Sequence, residues 1–294
     1  MKPLKKPLSY DEQMIRLSEE HGLVIDDEAA AKDILYHVNY YRLSAYGIGL
    51  KRKDDTERYI EGITLNHLYR LYCFDSKLRN ILTPAIENIE IDLRTKLSYF
   101  LAMTYGAEGY QDESNFLTKH DGKGNNIFEV TIKKKSADEV NHQRNLPCVK
   151  HHNEVYGGHF PIWVAVELFS FGMLSSLYSV LKDEDKKAIA KEYNTEPIYL
   201  NSWILALLEL RNYCAHYNRI YNMPFKQTAR LYKDYAMYKG NRLFSVLLVI
   251  KRIMQNSIQW RQLLRELEAL LEEYTEAKLS FIGFPNDWHD VLTK

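Results

Sequence analysis

Apolar residues recur at three and four along most of this sequence and almost nowhere alternate. Ile86, Ile89, Leu93, Leu97 and Leu101 are one such run, the spacing that lines a single helical face. The pattern predicts helices over Ser9–Glu20, from about Asp27 to Ala45, from Thr64 or Asn66 to Leu82, and over Pro84–Tyr105. Others follow over Pro161–Leu181, up to Tyr193, from Pro197 onward, and over Asn241–Tyr274. Ser9 with Glu12 three residues later has capping-box spacing. Pro84 marks a break or kink, Gly172 a loosened turn, and Pro197 the favoured first helical position. No stretch reads as a strand, so the expected fold class is an all-α bundle.

Gly106 to Gly158 departs from the pattern. It is rich in Asn, Gly, Lys, His and Asp, has little periodicity, and is long for a connection, so it reads as a functional or mobile insertion. The expected organisation is an N-terminal helical segment, residues 1–60, packed on a helical domain of residues 61–294. The loop-rich insertion then occupies about 106–160.

Composition agrees with helices. Glycine and proline number 13 and 8 in 294 residues, and 46% of the chain is hydrophobic, enough for a core and few turns for a β fold. No apolar run approaches the roughly 20 residues of a membrane span. The start, Met1-Lys2-Pro3-Leu4-Lys5-Lys6, has no apolar leader. Three cysteines, Cys73, Cys148 and Cys214, suggest no disulfide framework, and a reducing cytoplasm is the economical location.

Net charge is zero but unevenly spread. Residues 211–252 hold nine Lys/Arg and the single acid Asp234, a local +8. The same block carries Tyr213, Tyr217, Tyr221, Tyr232, Tyr235 and Tyr238. Cations interleaved with aromatics suit single-stranded nucleic acid, through phosphate attraction and base stacking. The competing reading is a solvated basic face with tyrosines at the core edge.

The block begins with Arg211-Asn212-Tyr213-Cys214-Ala215-His216. With Leu200 to Arg219 on a helix, Glu209, Asn212, His216 and Arg219 share one stripe. Leu207, Leu210 and Cys214 fall on another face, and Arg211 lies about 100° round from Asn212. Guanidinium fits phosphate oxygens, and imidazole moves protons near neutral pH. Together they suit RNA cleavage without a metal, because the 2′-hydroxyl is a nucleophile beside its own phosphate. Arg211 is then the phosphate ligand, His216 the proton-transfer group, and Asn212 the residue that orients either. Arg219, Tyr213, Tyr217, Lys226 and Arg230 are the candidate RNA-binding residues. One histidine does not easily serve as both acid and base, and a symmetric dimer would supply a second. The competing reading is a solvated polar ridge on an otherwise apolar helix.

The hexapeptide resembles the R-x4-6-H signature, often R-N-x-x-x-H, of the HEPN superfamily. Further blocks resemble its Abi-like (AbiD/AbiF-type) abortive-infection proteins: Asn39 to Tyr46, Phe74 to Arg79, and Ile86 to Arg94. Pro161-Ile162-Trp163, Glu167, Phe171-Gly172 and the tail Phe284 to Trp288 extend the similarity. The resemblance implies a HEPN-type helical bundle, usually dimeric, and a metal-independent endoribonuclease of antiviral defence or toxin type. Only Arg211, Asn212 and His216 carry over as site residues. Some HEPN proteins are instead non-catalytic modules that bind RNA or protein, so fold alone leaves function open. A small noncoding RNA that holds a toxin silent is among the partners this second reading allows. No cofactor, metal or membrane is expected.

Three other groups bear weighing. Glu87, Glu90 and Arg94 share a helix face. Glu90–Arg94 reads as a structural i,i+4 pair, or as a carboxylate that orients His216 if it packs there. Cys148, His151, His152 and His159, with His142 nearby, are zinc-type donors without a paired C-x2-C, so no metal is assigned. Lys133-Lys134-Lys135 reads as a solvated run that could grip a backbone. Tyr40, Tyr41 and Tyr46 read as bundle packing and Arg42 as paired with an acid, with base stacking the alternative.

Overall fold

The computed structural model describes residue 4 and residues 6–254 and 257–294; the residues that begin the chain, on which the leader reading rests, lie largely outside that range. Among the described residues the fold is all-α. There is no sheet, only isolated bridges such as Val24 with Thr64 and Lys51 with Tyr59. No described helix is long and apolar enough to cross a membrane.

The amino-terminal helices start where the sequence places their caps. In α1 (Tyr10–Ile15) the Ser9 side chain accepts from the Glu12 backbone N–H while Glu12 accepts from Ser9. The helix expected from Asp27 to Ala45 is two pieces, α2 (Glu28–His37) and α3 (Tyr40–Ser44). Val38 between them is extended, and the Asn39 side chain caps α3 by accepting from the Tyr41 N–H.

The spine is α4 (Leu65–Tyr105), 41 residues and about 60 Å long at 1.5 Å per residue. Thr64 caps it by accepting from the His67 N–H. Pro84, expected to break or kink the helix, does not break it. Leu82, Ala85 and Ile86 around the proline are buried, so packing on both sides holds the segment helical. Thr83 Oγ1 also donates to the Arg79 carbonyl one turn back.

The insertion is more ordered than its composition suggests. Phe128–Lys134 forms a wide helical turn that continues into α5 (Lys135–His142), and α6 (Pro147–Val155) follows. Phe128, Ile132 and Val149 are buried. These few anchors, set among polar residues, supply too little periodicity to be read from sequence. Lys133, Lys134 and Lys135 point to solvent, and Lys133 pairs with Glu129 at 3.2 Å.

The expected Pro161–Leu181 helix is α7 (Ile162–Ala165) and α8 (Phe171–Val180), separated by extended Phe169 and capped anew by Ser170. Then come α9 (Asp183–Glu192) and α10 (Pro197–Ala215), with Pro197 in the first turn. The last predicted helix is two, α11 (Leu243–Met254) and α12 (Ile258–Glu273), the second capped by Ser257. The tail closes with α13 (Trp288–Thr293). The core lies where α4 packs on α10 and α12. Leu71, Phe74, Leu78 and Leu82 from α4 meet a buried set that includes Leu200, Trp203, Leu207 and Leu210 from α10.

Candidate active site at the end of α10

The apolar spacing predicts a helix that continues to Arg219. In the structure α10 ends at Ala215, and His216 is its cap residue. The Tyr217 N–H bonds to the Cys214 carbonyl at 3.2 Å, and the Asn218 N–H to the Tyr213 carbonyl at 2.9 Å. That pair of bonds is a Schellman ending. It requires a left-handed residue just past the cap, normally glycine, and here Tyr217 takes it with φ +55°. Because no glycine signals the stop, the helical pattern misleads, and Arg219 falls off the stripe assigned to it.

The turn is held from outside. Arg42 on α3 donates to the Tyr217 carbonyl at 2.7 Å, and Arg79 on α4 to the Asn218 carbonyl at 3.2 Å. Asp75, fully buried, accepts from the Ile220 and Tyr221 N–H groups at 3.1 and 2.8 Å. It also takes the Tyr46 hydroxyl at 2.8 Å and the Arg79 guanidinium at 2.5 Å. Burial pushes the Asp75 carboxyl up, and Arg79, Tyr46 and the two amides pull against that. Asp75, Arg79 and Arg42 were not singled out as site residues from sequence. The available signal was a charged i,i+4 pair inside the apolar face made by Leu71, Phe74, Leu78 and Leu82. Arg42, expected to pair with an acid, instead holds a carbonyl.

Arg211 and His216 differ in setting, the first half-buried and the second exposed. His216 is exposed, and among the described residues its imidazole meets no hydrogen-bond, ion-pair or ring partner. Asn212, one turn before it, is half-buried. Arg211 lines a cavity of about 450 Å³ with Glu87, Glu90, Arg94, Glu167 and Cys214. Its Nε lies 3.5 Å from Glu90, which also pairs with Arg94 at 3.1 Å. Arg94 in turn donates to the Val166 carbonyl. The Glu87/Glu90/Arg94 face therefore reaches the arginine of the motif rather than its histidine. The cavity carries three carboxylates against two guanidiniums, which makes it no simple anion pocket. The Nε contact leaves the outer Nη edge of Arg211 for another acceptor.

The basic block is partly spent inside the protein. Arg219 donates to the Ala45 carbonyl at 2.6 Å, and burial lowers its pKa. Arg242 holds the Phe281 carbonyl, Lys251 the Val291 carbonyl, and Arg252 the Asn194 carbonyl. Lys226, Arg230, Lys233 and Lys239 are exposed. The loop bearing Lys226 is pinned by Glu209, which accepts from the N–H groups of Lys226 and Gln227. Of the tyrosines, Tyr221 is core, Tyr213 packs edge-on against Phe225, and Tyr217 is 69% exposed.

Among the described residues no three His, Cys, Asp or Glu side chains converge as a metal set would. In the insertion His159 pairs with Glu108 at 3.0 Å, and His152 stacks on Tyr156 and Phe160. Cys148 is exposed, whereas burial pushes the Cys214 thiol up to about 11. Because the thiolate is the reactive form, a disulfide reagent at pH 8 should label Cys148 quickly and Cys214, 7% exposed and largely protonated at that pH, far more slowly. Equal rates would contradict the packing of α10 against α4.

The chain belongs to the Abi-like protein family, whose model matches residues 33–222. That span takes in the second half of α2, all of α4 and α10 and the turn after His216, and membership points to an abortive-infection role. No curated protein and no solved structure matches.

Proposed function

We propose that this chain is a metal-independent endoribonuclease of HEPN type that acts in abortive infection. The observation that carries the reading is an exposed, unpartnered imidazole fixed at the end of a buried helix, five residues after a guanidinium with a free edge. His216 transfers a proton at the 2′-hydroxyl or at the leaving 5′-oxygen. Arg211 places its Nη edge on the non-bridging oxygens, where charge gathers in the transition state. Asn212, one turn from His216 on the same face, orients the imidazole or the phosphate. A two-fold dimer would present a second His216 to the same linkage, so acid and base would be separate groups.

The non-catalytic alternative, an RNA- or protein-binding module, draws support from the Arg211–Glu90 contact, since a paired guanidinium is less available to phosphate. The pure protein, incubated with single-stranded RNA in excess EDTA, separates the two. Cleavage that persists at full rate is expected. Cleavage lost on chelation would overturn the metal-free mechanism, and RNA bound but never cut would favour the module.

A further inference from the structure

Just beyond His216 the chain enters a second hollow, of about 390 Å³, bordered by Tyr41, Arg42, Tyr46, Tyr217, Asn218 and Arg219. Unlike the cavity at Arg211, it has no carboxylate among its lining residues. Two of its tyrosines do little for folding, since Tyr41 is 84% and Tyr217 69% exposed. Tyr217 moreover sits in the left-handed region, a conformation that strains a bulky residue and that glycine would adopt freely. Stability therefore gives no reason for a tyrosine at this position. Arg42 lines the same hollow, exposed and with no acidic partner among the described residues. It spends one N–H on the Tyr217 carbonyl, and a guanidinium has five.

We infer that this hollow is a nucleotide subsite: Tyr41 and Tyr217 stack an unpaired base of a single-stranded RNA, and Arg42 holds the adjoining phosphate. The inference deepens the nuclease reading by naming the substrate as unstacked, single-stranded RNA, and it rests on that reading for the choice of RNA. Flat aromatic surfaces accept any base face, and a cation beside them tracks the backbone. A duplex, whose bases are already stacked, fits the hollow poorly. Tyr217 would thus couple binding to chemistry, because its backbone fixes the cap that carries His216 while its ring takes the neighbouring base.

Binding is read in the cleavage-impaired His216→Ala background by fluorescence anisotropy, with a twelve-nucleotide single-stranded RNA and a matched abasic strand. Tyr217→Gly is the decisive variant, since it relieves the backbone strain and removes only the ring. It should keep or raise the unfolding midpoint yet weaken RNA binding roughly 5- to 150-fold, the equivalent of about 1–3 kcal/mol of stacking at 1.4 kcal/mol per tenfold. Tyr41→Ala should act in the same direction, Tyr217→Phe should retain binding, and neither ring deletion should alter affinity for the abasic strand. Undiminished RNA binding by Tyr217→Gly and Tyr41→Ala would overturn the subsite, as would a parent protein that does not bind the strand. Cleavage by the wild type is scored separately. Ring-dependent binding without cleavage would keep the subsite and discard the nuclease, whereas cleavage with ring-independent binding would do the reverse.

Discussion

Replacing His216 with alanine should lower the proposed RNA cleavage by about 10²–10⁴-fold, the usual contribution of positioned proton transfer, and should leave the unfolding midpoint almost unchanged. The separation follows from geometry. The imidazole is exposed and touches no described partner, and such surface positions contribute within about 0.5 kcal/mol. Stopped assays on RNA, with a thermal melt of the same sample, check both halves. Cleavage at the parental rate would move the chemistry to another residue. A large loss of stability would mean that the side chain belongs to the fold.

Asp75→Ala should differ by losing stability as well as cleavage. It strands the Arg79 guanidinium, the Tyr46 hydroxyl and two backbone N–H groups inside the protein. Breaking a buried pair from one side costs about 3–5 kcal/mol, a large share of the roughly 5–15 kcal/mol that holds a domain together. Urea unfolding should show the midpoint falling by that equivalent. Cleavage should fall as well even where the variant stays folded, because the turn that follows His216 loses its anchor. A loss under about 1 kcal/mol would show that the carboxylate is dispensable and the turn self-supporting.

These two residues illustrate what the sequence discloses. Local chemistry is legible: the Ser9 box, the Thr64 cap and Pro197 at the first turn act within one helical turn, and each stands where its neighbours place it. Tertiary decisions are not. Pro84 reads as a break or kink because the buried residues that keep α4 continuous through it are invisible to a local rule. The end of α10 is missed because a tyrosine occupies the left-handed position where glycine would have announced it. The +8 block overstates the free positive surface, since charge counting cannot tell Arg219 and Lys251, turned inward onto carbonyls, from exposed Lys226 and Arg230. Asp75 lies in the Phe74 to Arg79 segment, yet its role depends on Tyr46, Ile220 and Tyr221, brought together only by folding.

The account turns on an imidazole that directs the 2′-hydroxyl of RNA at its own phosphate. The chemical ends of the products test this most directly. Mass spectrometry of a short RNA cut in EDTA should find 2′,3′-cyclic phosphate on one fragment and a 5′-hydroxyl on the other, and a 2′-deoxy residue at the scissile position should abolish that cut. A 5′-phosphate, or cleavage that survives the 2′-deoxy substitution, would contradict it.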